Sequence, residues 1–180
     1  MVWKRLKAHV FYFPTLAWSI LLGRVLKVRN WWDAIDENVL LGAVPFENDV
    51  QPLAAMGIRG VVNTCEETAG PVGQYRRHGI RQLRIPTIDY TDPSMSDLER
   101  AVEFIREHTA AGQKVYVHCK AGRTRSGIVA ICWLIEHRQV TAAAAQEILN
   151  TARPHVNRHL SSRPVVQHFA AQHLNRPALL

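Results

Sequence analysis

His118-Cys119-Lys120-Ala121-Gly122-Arg123-Thr124-Arg125-Ser126 is the stretch on which the reading of this chain turns. A cysteine and an arginine stand six positions apart, with a glycine between them and a hydroxyl directly after. Before it, Val115-Tyr116-Val117 predicts a short buried strand, and after it Ile128 to Ile135 predicts an apolar helix. A strand that enters a tight loop and leaves as a helix turns several backbone N–H groups toward one point. The helix dipole adds partial positive charge there. Such a loop is an anion cradle built around a thiol.

Phosphate is the anion that fits it. A free thiol ionises near about 8.5, and a helix N-terminus with neighbouring cations lowers that by several units. Cys119 stands beside Lys120, Arg123 and Arg125, so it is expected to be a thiolate and the nucleophile. Arg125 has the planar fork that grips two phosphate oxygens. Gly122 lets the loop turn and its backbone approach the ligand, and His118, Ala121 and Thr124 complete the wall of the cradle. Ser126 can donate to the thiolate and ease its departure when a phosphocysteine breaks down. Phosphoryl transfer to sulfur also leaves an alkoxide that needs a proton. Two acids stand in the turn-rich segment Thr87-Ile88-Asp89-Tyr90-Thr91-Asp92-Pro93. Asp89 is favoured because it comes directly off a predicted strand, Gln82–Ile85. Asp92 is placed second, as a cap of the turn before Pro93 or of the helix that follows.

The rest of the chain is read outward from there. At 180 residues and 47% hydrophobic it can bury one sizeable core. Three scattered cysteines, Cys65, Cys119 and Cys132, form no disulfide framework, which points to a reducing compartment. With no C-x-x-C pair and no ligand pattern among the nine histidines, neither a metal nor a cofactor is expected. Cys65, at the end of a predicted strand, is a candidate for a reversible disulfide with Cys119 on oxidation. The net charge of +7 is uneven: Lys4, Arg5, Lys7, Arg24, Lys27 and Arg29 meet no acid in residues 1–32, and the remainder is near neutral. A basic arm on a balanced body argues against nucleic acid as the partner.

That arm, residues 1–32, is also apolar, and residues 33–180 are expected to form a single catalytic domain. Val10 to Leu22 is too short to span a bilayer, which needs about 20 residues. A weak polar stripe through Arg5, Ala8, Tyr12, Thr15 and Ser19 follows helical spacing. The pattern suits a helix in the membrane interface, contacting it through residues 1–29, or an acid-free mitochondrial presequence. A helix packed on the domain uses the same apolar face.

Beyond the arm, Val39–Gly42 predicts a strand and Leu53–Met56 a short helix ending near Gly57. Ile58–Thr64 predicts a strand and Leu98–Ala110 an amphipathic helix stopped by Gly112. Thr141 is the N-cap of a helix over Ala142–Thr151 ended by Pro154, and Arg163-Pro164 opens the last helix. Strands alternating with helices predict an α/β layered domain with a mostly parallel central sheet, its helices on the faces and the phosphate loop between strand and helix at the carboxyl end.

The nine-residue loop resembles, at every fixed position, the signature H-C-x-x-G-x-x-R-[S/T] of cysteine-dependent tyrosine and dual-specificity phosphatases. Asp89 matches the acid position of such enzymes. The order C-K-A-G-[K/R]-x-R is similar to lipid phosphatases of the phosphatase-and-tensin type. Lys120 and Arg123 are expected on the rim, favouring a highly anionic substrate.

A wider resemblance runs from about Val10 to Phe169, through Val10–Leu16, Trp32, Ile35-Asp36, Val39–Pro45, Gly60–Asn63, Pro86–Asp89 and Val115–Ser126. It is to the mitochondrial dual-specificity phosphatase family. It implies a dual-specificity-phosphatase-like fold and removal of the terminal phosphate of phosphatidylglycerophosphate, giving the phosphatidylglycerol from which cardiolipin is made. It also implies an anionic phospholipid as the partner. The expected location is the matrix side of the mitochondrial inner membrane, or in a bacterium the cytoplasm or inner-membrane face. The animal members carry an E-E-Y-E loop, where this chain has Glu66-Glu67-Thr68-Ala69, so the two retained acids are expected to line the pocket. The alternatives are a dual-specificity protein phosphatase, a phosphoinositide phosphatase and, more remotely, a phosphate-binding scaffold that does no chemistry.

Overall fold

The computed structural model describes residues 14–174. Five strands, β1 (Trp32–Ala34), β2 (Val39–Gly42), β3 (Ile58–Cys65), β4 (Arg81–Thr87) and β5 (Lys114–His118), form one sheet in the order β1-β2-β5-β3-β4. All neighbours are parallel except the edge pair β1 and β2, so the sheet is mostly parallel, as expected.

Side chains alternate across each strand and build a core on both faces. Val39, Leu41, Val62, Val115 and Val117 face one way. They meet α4 (Met95–Ala110), α5 (Arg125–Arg138), α6 (Ala142–Ala152) and α7 (Pro164–His173). Leu40, Val61 and Tyr116 face the other way, onto α2 (Glu47–Ala55) and α3 (Val72–Arg77) through Val50, Leu53 and Tyr75. Every residue of α5 from Arg125 to Ile135 is buried, which is why it lacks the polar stripe of a surface helix. Thr141 caps α6 as expected, its hydroxyl accepting from the Ala144 N–H.

The sheet brings three loops to one edge. In register, His118 at the end of β5 sits between Gly42 of β2 and Asn63 of β3, and Cys65 pairs with Thr87 of β4. The connections leaving β3, β4 and β5 therefore emerge together at the carboxyl end of the strands.

Residues 1–13 of the arm, with Val10–Phe13 and the Arg5, Ala8 and Tyr12 positions of its stripe, lie outside the described residues. Residues 14–20 form a helix, α1, which runs into a π-helical turn, Leu21–Val25. Arg24 fastens it to the body. Its guanidinium lies 2.5 Å from Asp49 Oδ2 and 4.5 Å over the Trp31 ring. Trp31 is itself buried and donates from Nε1 to Val44 O. The segment around Trp31 and Trp32 thus packs as part of the sheet edge. No helix among the described residues is long and apolar enough to cross a membrane.

Candidate active site

Cys119 begins the loop between β5 and α5, buried at the sheet edge. The Ser126 hydroxyl, in the first turn of α5, donates to its Sγ over 3.2 Å. Burial by itself raises the thiol's pKa. The charge of Arg125, the hydroxyl and backbone N–H of Ser126 and the N–H of Arg123 outweigh it, and the net value lies below that of an ordinary thiol. These are the donors that a strand–loop–helix turn aims inward.

Arg125 is buried under the same loop and already committed on one side. Its Nη1 donates to Glu67 Oε2 at 2.9 Å and to Thr87 O at 2.8 Å, while Nη2 makes no hydrogen bond and lies 3.3 Å from Asp89 Oδ1. One nitrogen anchors the side chain to the sheet edge and the other is held toward the acid. Glu67 therefore takes a different place from the one expected. Its carboxylate is buried against the arginine, because a guanidinium with so little solvent needs a counter-charge. Glu66, next to it, is half-buried.

Lys120 departs from the rim position in the same way. Its side chain is only 6% exposed, and Nζ lies 2.5 Å from Asp89 Oδ2. Attraction to the loop acid draws the ammonium inward and holds Asp89 over the cradle. Asp92 is the acid that points elsewhere: it forms an ion pair with Arg163 at 3.3 Å. The cap of α4 is Ser94, whose Oγ accepts from the Asp97 N–H, so Asp92 does not cap that helix.

The wall of the loop is fixed by its own polar groups. Gly122 has φ of +65°, and a Cβ there would sit 2.5 Å from Gly42 O, so no side chain fits. Lys120 O accepts from the Val44 N–H, Arg123 O from the Asn157 N–H, and Thr124 Oγ1 from Asn157 Nδ2 at 3.4 Å. Ala121 is half-buried between them. His118 is fully buried, its pKa driven by burial to about 3, so the ring is neutral. Its carbonyl accepts from Thr64 Oγ1 at 3.0 Å. Arg123 stays exposed, with Nε donating to His155 O at 2.9 Å.

One supporting residue carries no local sign in the sequence. Arg153, just past α6, is buried and donates from Nε to Gly122 O at 2.8 Å, while its Nη1 lies 2.5 Å from Asp33 Oδ2 on β1. It ties the phosphate loop to the sheet edge. Cys65 is a free, buried thiol at the end of β3, and burial raises its pKa well above the ordinary value.

The arrangement can carry out nucleophilic phosphoryl transfer: a thiolate in a ring of N–H donors, an arginine with one nitrogen that makes no hydrogen bond, and a carboxylate above them. The dual specificity phosphatase catalytic domain matches residues 39–168. The phosphatidylglycerophosphate phosphatase PTPMT2 of Arabidopsis thaliana is 43% identical over 165 residues, covering 90% of this chain and 72% of that protein. The phosphatidylglycerophosphatase and protein-tyrosine phosphatase 1 of Mus musculus is 34% identical over 90% of this chain and 89% of its own length. Among solved structures, PTPMT1 in complex with PI(5)P superposes with a TM-score of 0.73 at 32% identity, covering 79% of this chain and 96% of that one. A match that takes in the whole site, with relatives along nine-tenths of the chain, leaves one assignment: the chain belongs to the dual specificity phosphatase family.

Proposed function

We propose that this protein is a cysteine-dependent phosphomonoesterase that converts phosphatidylglycerophosphate to phosphatidylglycerol. The observation that carries the substrate is the 43% identity, over 90% of the chain, to an enzyme named for that activity. The site supplies the chemistry. Cys119 Sγ attacks phosphorus in line with the ester oxygen, the P–O bond breaks, and Asp89 delivers a proton to the departing alkoxide. The phosphocysteine so formed is attacked by a water whose proton Asp89 takes back. Phosphate leaves as Ser126 donates to the returning thiolate. Arg125 Nη2 and the loop N–H groups hold the equatorial oxygens throughout, and Glu67 keeps the guanidinium in place.

The lipid substrate puts the enzyme at a membrane surface. Trp18, Leu21, Val25, Leu26 and Val28 are exposed apolar side chains along α1 and the segment that follows it, with Lys27 among them. Such a face inserts at the headgroup level, and the cations favour anionic lipid. We place the enzyme as a peripheral protein on the matrix side of the mitochondrial inner membrane, or in a bacterium on the cytoplasmic face of the inner membrane.

The test is phosphate release from phosphatidylglycerophosphate, a phosphoinositide and a phosphotyrosine peptide, with Cys119→Ser as the blank. The lipid is expected to give the highest kcat/KM. Equal or better turnover of the peptide would transfer the assignment to a protein phosphatase, a reading to which the name of the mouse relative lends support.

A further inference from the structure

Beside the catalytic loop lies a cleft of about 570 Å³ that the phosphoryl chemistry does not use. It is lined by Lys27, Arg29 and Asn30 from the segment after α1, by Asp33 of β1, and by Arg123 and His155. Its size is that of a small-ligand site. The one acid, Asp33, is already taken by Arg153 at 2.5 Å. Lys27, Arg29 and Arg123 have no carboxylate partner among the described residues, so three positive charges face one space whose single carboxylate is paired with Arg153. Arg123 belongs to both places: its backbone is part of the loop around Cys119, and its side chain walls the cleft.

We propose that this cleft is a second anion site, which takes the phosphodiester of the lipid whose terminal phosphomonoester sits over Cys119. The inference rests on the lipid reading above and adds residues that set specificity for it. In that lipid a three-carbon glycerol unit separates the two phosphorus atoms, and Arg123 belongs to the lining of both sites. The electrostatics agree. Burial, then repulsion from Arg123 and Arg153, lowers the pKa of Arg29. His155 is held neutral, at about 4, by burial and by Arg153 and Arg29. A bound phosphodiester relieves both repulsions and gives the His155 ring a charged neighbour. The segment that joins α1 to the body then does two things: it follows the apolar face, and it supplies cations to the substrate.

Two measurements test this. The first compares kcat/KM for glycerophosphoglycerophosphate, which is the water-soluble headgroup with both phosphates, and for glycerol 3-phosphate, which has one. The wild-type ratio is expected to be at least tenfold, and Arg29→Gln and Lys27→Gln, made separately, are each expected to cut it several-fold. A ratio that is the same in wild type and variants overturns the proposal, and a folding defect does not imitate the expected result because it lowers both rates together. The second titrates Cys119→Ser protein with glycerophosphoglycerol, the diester alone, and follows the His155 ring by NMR. A saturable shift that Arg29→Gln weakens supports the site, and a silent ring overturns it. If Arg29→Gln weakens sedimentation with phosphatidylglycerol vesicles but moves neither the ratio nor the ring, the cleft holds bilayer headgroups and the proposal fails. Failure of the lipid reading itself shows differently, as preference for phosphotyrosine peptide over intact lipid, with the NMR measurement still reporting on the cleft.

Discussion

Lys120 Nζ lies 2.5 Å from Asp89 Oδ2, so the residue that follows Cys119 in sequence holds the carboxylate proposed to protonate the leaving group. The contact joins the β4 and β5 connections across the mouth of the site. Asp89→Ala is expected to slow alkyl phosphates by about 10²–10⁴-fold, the usual contribution of a positioned acid, and aryl phosphates far less. Lys120→Met, which keeps the length of the stem but removes the charge, is expected to show the same dependence on leaving group in weaker form. Plots of log kcat/KM against leaving-group pKa measure both. Parallel lines for wild type and Asp89→Ala would move the acid role elsewhere.

Glu67 is the counter-charge that fixes Arg125, with Oε2 2.9 Å from Nη1 and a side chain only 3% exposed. Removing it leaves a buried guanidinium short of a partner, at a cost of about 3 kcal/mol. Glu67→Ala is expected to lower Tm by several degrees and kcat/KM by at least tenfold. Glu67→Gln keeps an acceptor for Nη1 and is expected to recover much of both. Thermal melts and inhibition by inorganic phosphate measure the two effects. Equal behaviour of the two variants would mean that the carboxylate acts by packing alone.

The parts of this site that were legible in the sequence are those in which one short segment contains its own cause. β5, the loop and α5 are contiguous, so the cysteine, glycine, arginine and serine spacings state the cradle directly. Thr141 and Pro154 mark the ends of α6 just as locally. What the sequence did not disclose depends on pairs far apart along the chain. Arg153 meets Gly122 at a separation of 31 residues and Asp33 at 120. β1 is three residues long and exists only because Trp32 to Ala34 pair with the edge of β2. α3, six residues over Val72–Arg77, is too short to show a period and is placed by burial of Tyr75. The sequence marks Lys120 and Glu67 as polar members of the site, but which way each turns is decided by charges elsewhere in the chain, Asp89 and Arg125.

The exposed face of α1 gives a prediction about the membrane. Trp18 and Val25 stand 59% and 65% exposed on the helical segment that Arg24 anchors to Asp49. Replacing both by glutamate removes apolar insertion and opposes the anionic surface. Turnover of phosphatidylglycerophosphate in vesicles is expected to fall at least tenfold relative to turnover of a soluble aryl phosphate. Vesicle sedimentation should fall in step. A constant ratio between the two substrates would remove α1 as the membrane contact.

Ser126, together with the charge of Arg125, is expected to set the pH at which Cys119, the proposed nucleophile, is ready. Its hydroxyl and N–H both stabilise the Cys119 thiolate, whose pKa lies below the ordinary thiol value despite burial. The active form is the deprotonated one, so activity rises as pH passes upward through that pKa. Ser126→Ala removes one donor to a charged sulfur, which disfavours the thiolate and raises its pKa. The acidic limb of kcat/KM, and of the alkylation rate with iodoacetamide, should move to higher pH. Slower breakdown of the phosphocysteine should also produce a burst of leaving group. An unmoved alkylation profile would show that the loop N–H groups suffice without the hydroxyl.

Acid stability follows from His118, which is fully buried with its pKa lowered by burial to about 3 against an ordinary 6.5. In the fold the ring stays neutral, whereas in the unfolded chain it takes up a proton as pH drops below 6.5. The unfolded state then binds more protons, so this contribution is complete above about 6.5 and is lost as pH falls toward 3, at about 1.4 kcal/mol per pH unit. His155, lowered to about 4, acts in the same direction from a half-buried position and so more weakly. Between pH 6.5 and 5 most carboxylates remain ionised, and the buried imidazole dominates the slope. Urea unfolding of wild type and His118→Asn across that window measures the effect. The asparagine variant, though less stable at pH 7, is expected to lose less stability per pH unit, and equal slopes would locate the acid sensitivity in other groups.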